Sequence, residues 1–266
     1  MSTFLLSMLQ FISSSSSQIV ALWAFGFIFG GAILGFVLQP FVPEHHFSKE
    51  STDAAKLGAG LVATLAALIL GLLISSTKGT FDQVNSLINQ VATNYIHLDR
   101  ILSDYGPETN HIREEVRNAL DTKIREIWPE EMGNSAPVSI DTKSRLENIS
   151  EDTARLKPSN SIQIRLQDSS LQLEYELLHE RWMIDVVGEG GVPPLLLVIP
   201  VVWITFLTFL YAFFSPRNMT VIIVLFCCSI SIAGAIFLID EMAGPMSGTI
   251  KVSSAPLRLA LSHLGK

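Results

Sequence analysis

Charge is missing from this sequence in blocks, and that pattern ties the chain to a membrane. No Asp, Glu, Lys or Arg occurs from Met1 to Pro43, between Lys56 and Lys78, between Glu189 and Arg217, or between Arg217 and Asp240. A spanning helix needs about 20 predominantly apolar residues, because the hydrocarbon core is about 30 Å thick and a helix rises about 1.5 Å per residue. Four windows meet that demand, at about residues 19–41, 54–77, 192–214 and 219–239. A fully water-exposed fold has nowhere to hide four such stretches. The shortfall shows in the totals as well: 16% of residues are charged, against about 25% in soluble domains. The expected fold class is an all-α integral membrane protein, multi-pass, with four transmembrane helices. A helical extramembrane bundle is expected between the second and the third.

The first window, Ile19 to Phe41, is closed by Pro40 and Pro43. No Lys or Arg precedes it, so it reads as a retained helix rather than a cleaved signal peptide. Gly26, Gly30, Gly31 and Gly35 form two overlapping small-xxx-small pairs. In lipid such pairs let helix backbones approach closely. The second window carries two stripes. Gly60, Thr64, Ala67, Gly71 and Ser75 make a row of small residues, and Leu61, Leu65, Leu68 and Leu72 make a bulky row beside it. One side is expected to pack tightly; the other faces lipid or a pore. Gly60 and Gly71 join the four earlier glycines as expected helix-packing positions.

The helical pattern continues past the second window. Phe81, Val84, Ile88, Val91, Tyr95, Leu98 and Leu102 follow at alternating spacings of three and four, a heptad seam. Only Gly79 weakens the join, by about 1 kcal/mol. One continuous rod is expected, ending near Tyr105-Gly106-Pro107. Such a seam either holds copies together or packs inside one subunit. The next helix presents Ile112, Val116, Leu120 and Ile124 and ends at Trp128-Pro129. Residues 130–140 read as a loop, Asp141 to Leu156 as a short helix, and Lys157-Pro158-Ser159-Asn160 as a break. A final long helix, Ser161 to Val187, is expected to turn Leu171, Tyr175, Leu178 and Trp182 to one face. The chain thus divides into a membrane hairpin (1–77), a helical domain (78–190), a second hairpin (191–240) and an amphipathic tail (241–266).

Several functions are disfavoured. Residues 78–190 hold 20 acidic and 12 basic side chains, so no basic face exists for nucleic acid. Cys227 and Cys228 are adjacent in the fourth window, a spacing that suits neither a disulfide framework nor a metal site. Glu44, His45 and His46 crowd one short loop, and neighbouring residues on such a loop rarely converge on one ion. No catalytic residue, metal or cofactor is therefore expected. Ser75 and Ser76 have no His nearby in the membrane. The expected topology puts Asp240 and Glu241 on the opposite face from His45 and His46. Those two acids read as a solvated helix end, with Arg258 as one potential partner. No window has a central ionisable residue, which disfavours a proton-coupled transporter. Lys78, Arg181, Lys251, Arg258 and Lys266 outnumber Lys49, Lys56 and Arg217 across the membrane. The positive-inside rule then places the helical domain and both termini in the cytoplasm, with the chain in an inner or plasma membrane.

Three segments together carry a resemblance. They are LGAGLVATLAALILGLLISSTKGTFD (57–82), LLHERWMIDV before the third window, and FLIDEMAGPMSGTIKVSSAPLRLAL (237–261). With them the chain resembles the bestrophin-like membrane proteins of bacteria and plants, over nearly its whole length. The resemblance implies a homo-oligomeric ion channel that passes inorganic anions along the second membrane helix. Leu61, Leu65, Leu68, Leu72, Ser75 and Ser76 are then the pore-lining candidates. True bestrophins follow that helix with aromatic-Arg-Thr-Asn and Tyr-Asp-Arg-Trp runs. Here the stretch reads Leu72-Leu73-Ile74-Ser75-Ser76-Thr77, then Phe81-Asp82-Gln83-Val84. No acidic calcium clasp is identifiable. The alternative is a non-conducting membrane scaffold or sensor whose helical domain binds a partner.

Overall fold

A computed structural model describes residues 16–42, 49–129, 142–188 and 191–266. Eight α-helices are described: α1 (Ser17–Leu38), α2 (Lys49–Tyr105), α3 (Asn110–Ile127), α4 (Thr142–Ala154), α5 (Ser161–Gly188), α6 (Pro194–Phe213), α7 (Met219–Ala243) and α8 (Ala255–His263). The chain divides into two compact units. One comprises residues 1–80 and 190–250, the other 81–189 and 251–266. Four helices are long and apolar enough to cross a membrane: α1, α2, α6 and α7. The histidine pair at 45–46 and the loop at 130–140 lie outside the described residues.

In the first unit, α1 packs on α6. Gly31 and Gly35 are the reason it can approach so closely. A Cβ on Gly31 would stand 2.7 Å from the Thr205 carbonyl oxygen, and one on Gly35 would meet the Phe209 carbonyl. The Thr208 hydroxyl donates to the Ile28 carbonyl oxygen at 2.9 Å, buried between the two helices. Val20, Ala24 and Ile28 of α1 share a core with Ala66 of α2, Val198, Val201 and Ile204 of α6, and Ile236 of α7. Burial in this way gains little from water exclusion inside a bilayer, so close packing and hydrogen bonds carry the association. On the far side of the pair, Phe226 of α7 meets Phe25 and Phe29 edge-on, at centroid distances of 5.6 and 5.3 Å.

The ends of these helices are tied. The Arg217 guanidinium donates to the Phe36 carbonyl at 2.5 Å and to Gln39 Oε1 at 2.9 Å. A cation at the carbonyl-rich end of α1 is favourable twice over, as a donor and as a counter to the helix dipole. Asn218 caps α7, its Oδ1 accepting from the Val221 N–H at 3.0 Å. α6 continues through Pro200, which is buried.

The second unit is built on the heptad seam. Val84, Ile88, Tyr95, Leu98 and Leu102 are all buried, and they are so inside this one chain. Ile112, Val116, Leu120 and Ile124 of α3 are buried as the pattern in sequence requires. Gly106, at φ +137°, makes the turn between α2 and α3, a conformation that a side chain disfavours. Arg113 grips Asp99 through two hydrogen bonds of 2.8 and 3.0 Å. The Trp128 indole donates to the Val252 carbonyl at 2.9 Å, fixing residues ahead of α8.

One expectation fails on α5. Tyr175 and Trp182 are exposed, whereas Ser170, Glu174, Leu177 and Ile184 are buried. The inward row carries polar groups that find partners for part of their hydrogen-bonding capacity, Glu174 Oε2 being left without one among the described residues. Ser170 bonds back to the Leu166 carbonyl at 3.0 Å, and Glu174 accepts from the Thr153 hydroxyl at 2.7 Å.

Candidate functional site

The resemblance carried by the sequence points to α2, whose surroundings define the candidate site. The helix is continuous over 57 residues, with Gly79 inside it. Within the first unit Ala59, Ala66, Leu73 and Thr77 are its buried positions. Spaced seven, seven and four apart, they mark one face of the helix. Leu73 packs with Leu197 of α6 and Ile239 of α7, and the Thr77 hydroxyl turns back to the Leu73 carbonyl at 3.0 Å.

The rest of this stretch is uncovered by its own chain. Only 17% of the most apolar window of α2 is buried, against 44% for α6. Leu61, Leu65, Leu68 and Leu72 are exposed by 71, 51, 59 and 62%. At about 100° per residue, they fall on the side of the helix away from Ala59 and Ala66. Ser75 and Ser76 continue the row and are also exposed. The small-residue row is uncovered too. A Cβ on Gly60 or Gly71 would meet nothing within 4 Å, and the same holds for Gly26 and Gly30 on α1. Of the six glycines singled out for packing, Gly31 and Gly35 are the two with neighbours inside the chain.

A second feature sits at the end of α7, where the sequence suggested a solvated pair of acids. Glu241 is instead 3% exposed. α7 runs on to Ala243, and the chain then folds back around the carboxylate. Glu241 Oε1 accepts from the backbone N–H groups of Thr249 and of Ile250, the latter at 3.1 Å. Gly248 takes φ +81°, and a Cβ there would collide with the same carboxylate. Thus the Pro-Met-Ser-Gly-Thr-Ile run is a loop wound onto one acid, whose charge the amide dipoles offset. A solvated helix end is the wrong description for Glu241, since this acid is buried and two backbone amides donate to it. The signal available in sequence was Gly248 itself, seven residues after an acid at a helix end.

With this geometry in place, the comparisons with known proteins have something to explain. A model of the bestrophin-like domain matches residues 26–257. The chain belongs to the bestrophin-like family. That match takes in all of α2, α6 and α7 and the loop around Glu241. Among solved structures, a bacterial bestrophin homolog from Klebsiella pneumoniae carrying one point mutation shares the fold. Its TM-score is 0.65 at 14% identity, covering 94% of this chain and 97% of that one. The same homolog, phased through zinc, gives 0.63 at 14% identity, with 91% and 96% covered. A further variant gives 0.65 at 13%, with 92% and 99% covered. At such identity the likeness concerns the fold alone. No curated protein sequence matches the chain. This bestrophin-like protein is a multi-pass membrane protein.

Proposed function

We propose that this chain assembles into a homo-oligomer whose α2 helices surround a pore for inorganic anions. The observation that carries the reading is the uncovered leucine row of α2, Leu61 to Leu72, in a chain of this family and fold. Copies arranged about an axis would turn that row inward, and a ring of leucines gates a pore by dewetting. Ser75 and Ser76 extend the row with hydroxyl donors, which suit an anion. Lys56 and Lys78 bracket the charge-free stretch. The 22 helical steps from Lys56 to Lys78 rise about 33 Å, close to the thickness of the hydrocarbon core. Cations at both mouths concentrate anions there. By the positive-inside bias, the helical unit and both termini lie in the cytoplasm.

The test is ion flux in liposomes that hold the purified protein, with anion and cation gradients applied separately. Wild type should dissipate the anion gradient. Leu68→Ala and Leu72→Ala should raise the flux by roughly tenfold, the effect of about 1.4 kcal/mol on a barrier. Silence in both gradients from a folded oligomer would instead support a membrane scaffold or sensor.

A further inference from the structure

His111 and Glu115 stand one helical turn apart on α3, so both side chains leave the same face. Asp152 reaches them from α4. One ligand-type atom from each of the three lies within 4.8 Å of the others. We propose that His111, Glu115 and Asp152 bind a divalent transition-metal ion of the zinc class and thereby clamp α3 to α4.

The spacing favours this over an ordinary ion pair. His111 Nε2 and Glu115 Oε1 are 3.4 Å apart. A charge-assisted N–H···O bond is about 2.7–2.9 Å. Two ligands held about 2.0–2.1 Å from one tetrahedral ion stand roughly 3.3 Å apart. His111 and Glu115 have the second spacing. Asp152 completes the set by a small side-chain rotation. Its other neighbour is Arg155, whose Nη1 stands 3.7 Å away while its Nη2 bonds Glu151 at 2.7 Å. At 3.7 Å the pairing with Asp152 is well beyond the about 2.7–2.9 Å of a charge-assisted hydrogen bond, and a metal ion would compete with it.

The donor chemistry narrows the ion. An imidazole nitrogen with two carboxylates suits zinc, cobalt or nickel. Calcium and magnesium prefer oxygen donors alone, in greater number. Glu115 also lines a recess of about 240 Å³ with Asn118, Asn148 and Ile149. Two asparagines give that recess polar walls beside Glu115. His111 is exposed, which gives the ion a path from solvent. Neither α3 nor α4 is among the four helices long and apolar enough to cross a membrane.

The experiment uses the full-length, tag-free protein in detergent, stripped of metal and titrated with Co²⁺ at neutral pH. One Co²⁺ per chain is expected, with the visible absorption of nitrogen and oxygen coordination, displaced by Zn²⁺. His111→Ala and Asp152→Asn should each weaken binding by about tenfold or more. Glu114→Gln, an exposed acid on α3 outside the cluster, should leave it unchanged. Circular dichroism and size exclusion verify that each variant is folded. Absence of stoichiometric Co²⁺, equal binding in His111→Ala, or equal loss in Glu114→Gln would each overturn the proposal.

Discussion

Single residues in this chain differ sharply in how much their neighbours constrain them. Gly35 has the Phe209 carbonyl where a Cβ would go, while Gly26 has open space. Gly35→Ala should therefore cost about 1–3 kcal/mol through overpacking. Gly26→Ala should leave stability unchanged or raise it slightly. Thermal unfolding in detergent, read on the same preparation, separates the two. The four α1 glycines look alike in sequence. Their spacing shows that close packing is possible, but which pair is used depends on where α6 sits. Glu241 makes the same point with a different chemistry. Glu241→Ala would leave the N–H groups of Thr249 and Ile250 without their acceptor; both bonds are partly solvent-accessible, so the cost is less than the about 1–3 kcal/mol of a fully buried unpaired group. Glu241→Gln keeps a carbonyl acceptor and should lose much less. Hydrogen exchange at residues 249 and 250 reports the difference directly.

Among the elements, α2 was the most readable and α5 the least. The alternation of threes and fours from Phe81 to Leu102 announces a helix strong enough to absorb Gly79, and α2 is continuous there. On α5 the periodicity points to Leu171, Tyr175 and Trp182, yet Glu174 is buried. Hydrophobic patterning cannot register a buried acid that finds a hydroxyl partner, because the partner lies on another helix. That acid gives the second unit a pH dependence. Burial pushes the Glu174 carboxyl from 4.5 up to about 6, against hydrogen bonds from Thr153 and Ser150 that favour its ionised form. The folded state then holds its proton over a range where the unfolded state has lost it. Stability from this group is present in full below pH 4.5, falls as pH rises, and is gone above about pH 6. The span is worth about 2 kcal/mol. Glu174→Gln should flatten that slope in hydrogen exchange of α4 and α5 between pH 4.5 and 6.5.

At the scale of the whole molecule, the four membrane helices could be read from the missing charge and the helical domain from the periodicity of its apolar residues. Charge-free windows of spanning length have one stable fate in lipid, which is why the architecture was legible. The proposed ion path was legible only as a choice between two stripes on α2. Both stripes are uncovered by their own chain, so neither packing nor periodicity within one subunit selects between them. The row of leucines is favoured here because a leucine ring can gate a pore by dewetting; Ser75 also ends the small-residue row and does not separate the two. The most direct measurement is cysteine accessibility during flux. Cys227 and Cys228 are exposed and would first be replaced by alanine. Single cysteines would then be placed at Leu61, Leu65, Leu68 and Leu72, and separately at Gly60, Thr64, Ala67 and Gly71. A small charged thiol reagent applied to liposomes should block anion flux in the leucine series and spare the small-residue series. Block confined to the second series, or block in neither despite robust flux, would contradict a pore lined by the leucine face of α2.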